Sequence, residues 1–278
     1  MKNAILSAHG KTIELEFPMV MGIINVTEDS FYSKSRVNSI EEFKKKVDQQ
    51  LKDGVDIIDI GGQSTRPGSE RISAKVELER ILPALSWLKK EHPYVWVSID
   101  TYHSEVAKAS IENGSDIIND ISFGLDDENM INEIINHDIT YIGMHKQGNP
   151  ETMQDSPKYE NVVQEVYNFL IERKNTFSNK GVKNVWLDPG FGFGKTLNQN
   201  YQLLNNLQTL KDLDPNILIG VSRKSMIHKY LQILPEDSLN GTTALNMVAL
   251  LNGANILRVH DVKEARECVK LFKQLKQS

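Results

Sequence analysis

The stretch Val55–Gly62, VDIIDIGG, is a short apolar run that ends abruptly in two glycines. Its apolar residues are nearly continuous rather than alternating, which is typical of a parallel strand buried on both faces. A loop rich in glycine and proline follows, and then a helical pattern passes through Leu78, Ile81, Leu82, Leu85 and Leu88. A strand followed by a helix in this way is the repeating unit of an α/β fold.

The same unit occurs eight times along the chain. The apolar runs end at Asn25, Gly61, Asp100, Asn119, His145, Asp188, Ser222 and Arg258. Eight units predict an α/β fold of the (β/α)₈ TIM-barrel type, and the length of 278 residues is close to the ~250 typical of such a barrel. An open doubly wound sheet is the alternative, but the chain has no dinucleotide fingerprint, so a closed barrel is favoured.

The boundaries of several elements can also be predicted. Ala4–Phe17 is expected to form a short N-terminal β-hairpin that could plug the bottom of the barrel. Ser39 is predicted to cap the first helix, and the seventh strand is predicted to span Ile217–Val221. No linker or low-complexity tract interrupts the chain, which predicts a single domain over residues 1–278.

Composition limits the class of protein. The formal net charge of −5 gives no overall attraction to nucleic acid or to acidic membranes. No signal peptide is visible in Met1–Pro18, and no apolar stretch approaches the ~20 residues of a membrane span. The single cysteine, Cys268, rules out an internal disulfide and is expected to be a packed thiol in an amphipathic helix. We therefore expect a cytoplasmic protein without a nucleic-acid or membrane partner.

Polar residues follow three of the predicted strands at equivalent places. Asp100 and Asp188 each end a buried run, and Asn119 follows a third. A carboxylate or amide there is costly to desolvate without a partner, although each residue could instead cap the following helix. All eight strand ends open onto one face of a barrel, which holds the active site. Two carboxylates and an amide could read the donor-rich edge of a flat heterocycle by paired hydrogen bonds.

A second group of residues predicts an anion site. Arg258 and His260 alternate after the eighth strand, and Lys224 and Ser225 begin the helix after the seventh. The loops after these two strands often form a phosphate site in barrels. Asn25 offers a neutral oxygen suited to Mg²⁺ that keeps most of its waters and binds substrate phosphates. The simpler alternatives are a surface salt bridge for Arg258 and a turn role for Asn25.

The loop Asp188–Thr196, DPGFGFGKT, resembles a phosphate-binding loop only superficially. The pattern G-x-x-x-x-G-K-[ST] requires glycine where Pro189 stands, so a nucleoside triphosphate site is not expected. Its interleaved aromatics suggest that Phe191 or Phe193 walls an aromatic ligand. Arg66, in the second loop, is placed to swing over a bound anion. No Ser–His–Asp order or cysteine–histidine pair supports a covalent nucleophile.

Eight stretches together resemble the dihydropteroate synthase family of pterin-binding barrel enzymes. They are MGIINVTEDSF (21–31), DIIDIGGQSTRPG (56–68), VSIDTYHSEVA (97–107), DIINDIS (116–122), MHKQGNPETMQ (144–154), LDPGFGFGKT (187–196), GVSRKS (220–225) and LRVHDV (257–262). The resemblance implies that a 6-hydroxymethyl-dihydropterin pyrophosphate loses pyrophosphate while p-aminobenzoate forms a new C–N bond. It also implies a homodimer and Mg²⁺ as cofactor.

The resemblance also assigns roles to individual residues. The pterin ring would be held by Asp100, Asn119, Asp188 and Lys224, with Met144 packed against it. Arg258 would stack on the pterin and meet the pyrophosphate, His260 would contact the leaving group and Asn25 would ligate Mg²⁺. Phe193 and Ser225 would receive the aminobenzoate, and the second loop would contribute Thr65, Arg66 and Pro67.

The first loop departs from the family pattern. The family usually has proline where Glu28 stands, and an Asp-Gly-Gly-like sequence where this chain has Ser33-Lys34-Ser35. This difference concerns how the loop closes, and therefore the response to sulfonamides. Two other functions fit the same barrel: a methyltetrahydrofolate-dependent methyltransferase and a pterin-binding homologue without catalysis. The methyltransferase needs no pyrophosphate site, so Arg258, His260, Lys224 and Ser225 disfavour it. The intact Asn25, Asp188, Lys224 and Arg258 disfavour the non-catalytic homologue.

Overall fold

The computed structural model describes residues 4–16, 18–26, 36–63, 71–148 and 157–278, with the backbone alone at 36–39. It begins with an antiparallel hairpin of two strands, and an alternation of parallel strands and helices follows. The strands are β1 (Ala4–Ala8), β2 (Lys11–Leu15), β3 (Met19–Asn25), β4 (Ile57–Gly61), β5 (Trp96–Asp100), β6 (Ile117–Asp120), β7 (Thr140–Met144), β8 (Val185–Asp188), β9 (Leu218–Ile219) and β10 (Ile256–Val259).

Helices occur between successive strands of the parallel set, β3 to β10, and after the last one. They are α1 (Arg36–Lys52), α2 (Ala74–Glu91), α3 (Ser104–Glu112), α4 (Met130–Ile135), α5 (Val162–Asn179), α6 (Leu197–Asn205), α7 (Leu207–Leu213), α8 (Ser225–Leu231), α9 (Leu239–Leu251) and α10 (Val262–Gln277). A short 3₁₀ turn, Pro235–Asp237, lies between α8 and α9.

The eight parallel strands form one sheet in the order β8-β7-β6-β5-β4-β3-β10-β9. The two ends of this order meet at a bridge between Leu187 and Ile217, where the Leu187 amide also donates to the Asn216 carbonyl at 2.9 Å. The sheet is therefore nearly closed as a barrel, and the predicted TIM-barrel fold with its N-terminal hairpin is confirmed.

Alternation along the strands divides each one between two environments. Ile58 and Ile60 of β4 pack outward against the helices, as part of the large core. Ile57 points into the barrel, where it joins a second apolar cluster of Ala4, Leu6, Leu15, Met21, Ile117, Ile142, Trp186, Leu218 and Ile256. The hairpin thus packs into the amino-terminal end of the barrel, and the indole of Trp186 donates to the Ile5 carbonyl at 2.8 Å.

Helix α2 shows how the local sequence fixes the outer layer. The Ser73 side chain caps it by accepting from the Val76 amide, and Ile81, Leu85 and Leu88 form one buried stripe toward the sheet. Burial of such side chains contributes about 1.5–3 kcal/mol each. The stripe therefore holds the helix in place beside β4 and β5.

Two predicted boundaries are wrong. Helix α1 begins at Arg36, so Ser39 lies inside its first turn and does not cap it; a cap pattern does not fix a boundary to within one turn. Strand β9 contains only Leu218 and Ile219, with Ile217 in the closing bridge. Gly220 and Val221 leave the ladder because the chain turns there toward α8.

Two further findings concern the composition-based expectations. The Cys268 side chain is buried in α10, with its thiol 3.5 Å from the Thr243 carbonyl, which confirms the packed-thiol prediction. Within the residues that the structure describes, no helix is both long enough and apolar enough to cross a membrane.

Candidate active site

Above the apolar cluster, the inward-facing positions near the strand ends become polar. Asp59 and Gly61 follow Ile57 at two-residue spacing on β4, and Ser98 and Asp100 occupy the paired positions on β5. Asn119 pairs with Asp100 on the next strand, and all of these side chains are buried. Their spacing follows from the strand period of two, which places alternate residues on one face.

Arg258 enters this polar layer from β10, which is separated from β4 by β3 alone. Its Nε donates to Asp59 Oδ2 at 2.7 Å, and its Nη2 donates to Asp100 Oδ2 at 2.6 Å. Nη2 also lies 2.6 Å from Asp59 Oδ2. The alternative of a surface salt bridge is therefore wrong, because Arg258 bridges two buried carboxylates inside the barrel.

The charges of this cluster influence one another strongly. Burial raises the pKa of Asp100 to about 7; Arg258 opposes this shift, whereas Asp59, Asp120 and Asp188 add to it. Burial works against the charge of Arg258, but Asp59 and Asp100 outweigh it and its pKa is raised. Arg258 is therefore a permanent cation in this cluster, and the pKa of the carboxyl group of Asp100 depends on the charges around it.

Asp188 lies on the opposite wall, at the end of β8. Its Oδ1 accepts from the Gly190 amide at 2.7 Å. Burial raises the pKa of Asp188, and the charge of Lys224 is the largest influence that lowers it. Met144, its register partner on β7, packs with Tyr102, Ile121 and Phe193. Carboxylates, an amide and an apolar thioether therefore surround one space at the barrel mouth, as the sequence predicts.

Lys224 and Phe193 connect the loops after β8 and β9. Lys224 Nζ donates to the Phe191 carbonyl at 2.5 Å and lies 4.8 Å from the centroid of the Phe193 ring. Burial lowers the pKa of Lys224 to about 8, which Asp188 opposes. Phe191 is fully buried in the core, so Phe193 is the aromatic residue that remains at the mouth.

The loops after β9 and β10 are joined by side chains. His260 Nδ1 lies 3.0 Å from Ser222 Oγ, which also accepts from the His260 amide at 3.2 Å. The guanidinium of Arg223, a residue with a positive φ of 56°, makes two bonds to the Asp261 carboxylate. These contacts tie the segment that precedes Lys224 to the segment around His260, and Ser225 is the first residue of α8.

Asn25 is the exposed last residue of β3, opposite Gly61 of β4. A Cβ at Gly61 would lie 2.9 Å from Asn25 Oδ1, so the missing side chain leaves room for the amide. Over the described parts of the chain, no three His, Cys, Asp or Glu side chains are grouped as metal ligands. A single amide oxygen still fits Mg²⁺ that takes its other ligands from water and phosphate.

Some predicted residues lie outside the described residues. These are Thr65, Arg66 and Pro67 of the second loop, together with Glu28, Ser33, Lys34 and Ser35 of the first. The structure brings together Asp100, Asn119, Met144, Asp188, Phe193, Lys224 and Arg258 at one end of the barrel. Asn25, Ser225 and His260 lie on strand ends and loops of the same end.

Three residues in this region were not predicted from sequence. Asp59 is a carboxylate within an otherwise apolar strand, and its two-residue spacing from Gly61 is a signal that could have identified it. Ser222 marks the end of a run but has no motif of its own. Lys195 appears in sequence only as part of a failed phosphate-loop pattern, and its burial is a tertiary property.

Comparisons with known proteins agree with this geometry. The family model described as pterin binding enzyme matches residues 21–260. The dihydropteroate synthase of Escherichia coli strain K12 is 40% identical over 268 residues, which cover 96% of this chain and 94% of the relative.

Two solved structures extend the comparison to three dimensions. A Yersinia pestis dihydropteroate synthase with a sulfonamide drug complex aligns with a TM-score of 0.90 and 36% identity, over 98% of this chain and 99% of that one. A Xanthomonas albilineans dihydropteroate synthase with 4-aminobenzoic acid aligns with a TM-score of 0.91 and 33% identity, over 99% of both chains. This chain belongs to the dihydropteroate synthases of the pterin-binding enzyme family.

Proposed function

We propose that this protein joins 6-hydroxymethyl-7,8-dihydropterin pyrophosphate to p-aminobenzoate, which gives 7,8-dihydropteroate and pyrophosphate. It is thus a transferase of folate biosynthesis. The observation that carries the proposal is the half-buried Arg258 that bridges the buried Asp59 and Asp100, within a chain 40% identical to a dihydropteroate synthase. A cation and carboxylates in one space suit a substrate that is a donor-rich ring at one end and an anion at the other.

The reaction requires little acid–base chemistry. The bond between the exocyclic methylene and the pyrophosphate oxygen breaks, and the aniline nitrogen forms the new C–N bond and then loses a proton. The pterin ring can donate electrons to the methylene as the leaving group departs. The protein must therefore stabilise the departing negative charge and position a weakly basic amine.

For the pterin, we propose Asp100, Asn119 and Asp188 as hydrogen-bond acceptors for the donor-rich edge, with Lys224 as a donor. Met144 supplies an apolar contact to the ring. This assignment is supported by the burial of the two carboxylates, since a buried carboxylate gains most from a ligand that supplies N–H groups.

For the leaving group, we propose Arg258, His260 and Arg66 as the groups that meet the pyrophosphate. Mg²⁺ held by Asn25, the substrate phosphates and water would neutralise part of the leaving charge. Arg258 suits this role because it carries a permanent charge and lies at the carboxyl ends of the strands, between the ring-binding carboxylates and His260.

For the aminobenzoate, we propose Phe193 against the ring and Ser225 at the carboxylate, with Thr65 and Pro67 from the second loop. Phe193 packs on Met144 and lies beside Lys224, so the aromatic wall adjoins the proposed pterin site. This proximity would place the amine near the methylene that it attacks.

The test is a turnover assay with purified protein, both substrates and Mg²⁺, following dihydropteroate and pyrophosphate together. Product should require both substrates, and Lys224→Ala should lower kcat/KM by at least about tenfold because a charged hydrogen bond is lost. Lys229→Ala, at an exposed position of the same helix, is the matched control. Pterin binding without turnover would indicate a non-catalytic homologue, and methyl transfer from methyltetrahydrofolate would indicate a methyltransferase.

We also propose a single cytoplasmic domain that assembles as a homodimer. Large apolar side chains are exposed on the last helices, at Tyr230, Leu231, Leu234, Val248, Leu251, Leu271 and Leu275. Exposed apolar side chains on neighbouring elements suit a second copy of the chain. Light scattering on the purified protein should give twice the 31.5 kDa chain mass, and the mass of one chain would contradict the dimer.

A further inference from the structure

Lys195 is a lysine without access to solvent at the end of the loop after β8. Its side chain is buried behind the loop, and its Nζ lies 2.8 Å from the Gly190 carbonyl and 3.0 Å from the Phe193 carbonyl. The third near acceptor is His145 Nδ1, at 3.0 Å. Burial lowers the pKa of Lys195 well below its ordinary value, against the influence of Asp188. As an ammonium or as a neutral amine, Nζ has N–H groups for both carbonyls.

His145 is suited to accept this bond. Burial lowers the pKa of His145 to about 2, and the charge of Lys195 adds to the effect, so the imidazole is neutral. With an ammonium at Lys195, Nδ1 accepts this bond and the ring proton lies on Nε2. The carbonyl of the same residue lies 3.5 Å from Lys195 Nζ. Lys195 thus ties the end of β7 to the loop after β8.

The loop approaches the end of β7 so closely that only glycine fits at two positions. A Cβ at Gly190 would lie 1.9 Å from the His145 carbonyl oxygen, and one at Gly194 would lie 2.3 Å from the Gln147 carbonyl oxygen. Both glycines have positive φ values, of 68° and 64°. The loop therefore has one tightly defined path. Lys195 Nζ supplies a donor to the Phe193 carbonyl and a second donor to the Gly190 carbonyl, which also accepts from the Phe193 amide at 3.1 Å.

Two lysines donate to the carbonyls of this loop: Lys195, which is buried beneath it, and Lys224, which lies at the barrel mouth. Lys195 takes those of Gly190 and Phe193, and Lys224 takes that of Phe191. Lys224 faces the proposed pterin site, so its bonds are shared with a ligand. Lys195 Nζ bonds to carbonyls of this loop and lies beside His145.

We propose that Lys195 is a positioning residue for the reaction, holding the loop of residues 189–194 so that Phe193 is presented to the aminobenzoate ring beside Lys224. This rests on the proposed function. Lys195 acts through the backbone of Phe193 and does not touch the substrates. Its loss should therefore weaken aminobenzoate more than pterin, because Asp100 and Asn119 of the proposed pterin site lie on β5 and β6, away from the loop, and Asp188 alone of the three carboxylate and amide groups bonds to it, through the Gly190 amide.

The test compares Lys195→Met and Lys195→Gln with Lys89→Met. Lys89 is a half-buried lysine that is likewise bonded, to Asp116 at 2.6 Å, but at the amino-terminal ends of β5 and β6. Lys195→Met should raise the KM for aminobenzoate by about tenfold or more, with the Kd of the pterin pyrophosphate changed less than about threefold. Lys195→Gln keeps donor groups and should lie between, whereas Lys89→Met should lower the melting temperature without changing either constant.

The proposal is overturned if a folded Lys195 variant keeps the wild-type KM for aminobenzoate, or if both substrates weaken equally. Should Lys195→Met fail to fold, Lys195→Gln decides by the same criterion. A wild-type protein that makes no dihydropteroate would contradict both the proposed function and this inference. If the wild-type protein makes dihydropteroate and substitution of Lys195 leaves the KM for aminobenzoate unchanged, this inference alone is contradicted.

Discussion

Individual residues at the barrel mouth have separable tasks because they come from different strands. Asp100 belongs to β5 and contacts Arg258, whereas Ser225 begins α8 on the far side of Lys224. Neither residue bonds to the other. The proposed pterin and aminobenzoate ends of the pocket are therefore testable one at a time.

Asp100→Ala should weaken pterin binding by about 1.5–3 kcal/mol, since it removes a charged acceptor and releases Arg258 from one partner. Ser225→Ala should mainly raise the KM for aminobenzoate, by about threefold to tenfold, through the loss of one hydroxyl bond. Calorimetry with the pterin pyrophosphate and initial rates against aminobenzoate measure the two effects. Equal effects of both substitutions on both substrates would contradict this division.

Glu77 gives a prediction about pH. It is completely buried in the first turn of α2, and burial raises its pKa to about 8, with Asp100 adding to the shift and Thr101 and Arg80 opposing it. A raised pKa means that the folded state holds the proton more tightly. The stabilisation is complete below the ordinary value of 4.5 and is lost as the pH rises through about 8.

Glu77→Gln should therefore make the free energy of unfolding less dependent on pH. At pH above about 8 the variant should be more stable than the wild type by at least about 1 kcal/mol, because no charge has to be buried. Urea unfolding at several pH values measures the difference, and Glu79→Gln at an exposed position of the same helix is the control. Parallel pH profiles for the wild type and Glu77→Gln would refute the expectation.

At the scale of elements, the site depends on how closely the loop after β8 packs on the end of β7. Gly190 has a φ of 68° and lies where a Cβ would meet the His145 carbonyl oxygen. Gly10, in the turn of the hairpin, has a φ of 75° but no atom within 4 Å of such a Cβ. The two glycines share a positive φ, and only at Gly190 would an added Cβ collide with another atom.

Gly190→Ala should cost more than Gly10→Ala by about 1–3 kcal/mol, the energy of forcing a side chain into packed structure. It should also lower kcat/KM for aminobenzoate by more than about tenfold, because the loop that carries Phe193 has to move. Thermal unfolding and initial rates compare the two variants. If both alanines behave alike, the close approach has no energetic importance.

At the scale of the whole molecule, stability and chemistry occupy opposite ends of the barrel. The amino-terminal end is filled by the hairpin and apolar side chains, and the polar cluster lies at the carboxyl end. This separation is general for the fold. Leu6 belongs to the buried hairpin face, far along the barrel from Arg258.

Leu6→Ala should lower the free energy of unfolding by about 2–5 kcal/mol through the cavity it creates. The KM values for both substrates should stay at wild type as long as the protein is folded. Urea unfolding and steady-state kinetics on one preparation test both parts. A raised KM would show that the hairpin end and the mouth are coupled.

The order of the strands and helices, the barrel and most of the mouth residues follow from the sequence. Apolar runs, glycine stops and helical spacing are local signals, and a strand end is a position that local patterns mark. The pattern therefore predicts Asp100, Asn119 and Asp188 as neighbours of one space and Arg258 as part of an anion site, and the resemblance places Arg258 at the pterin as well. The boundaries at Ser39 and after β9 were not predicted correctly, because caps and ladder ends depend on packing.

The partners of the buried charges were decided by the tertiary structure alone. Arg258 and Asp59 are 199 positions apart, and Lys195 meets His145 across 50. No local pattern links such residues, because they meet only when the sheet closes. Closure also decides which charged partner each buried carboxylate contacts and which lysine is excluded from solvent. Periodicity thus specifies which side chains reach the barrel mouth, whereas closure of the barrel specifies what each one contacts there.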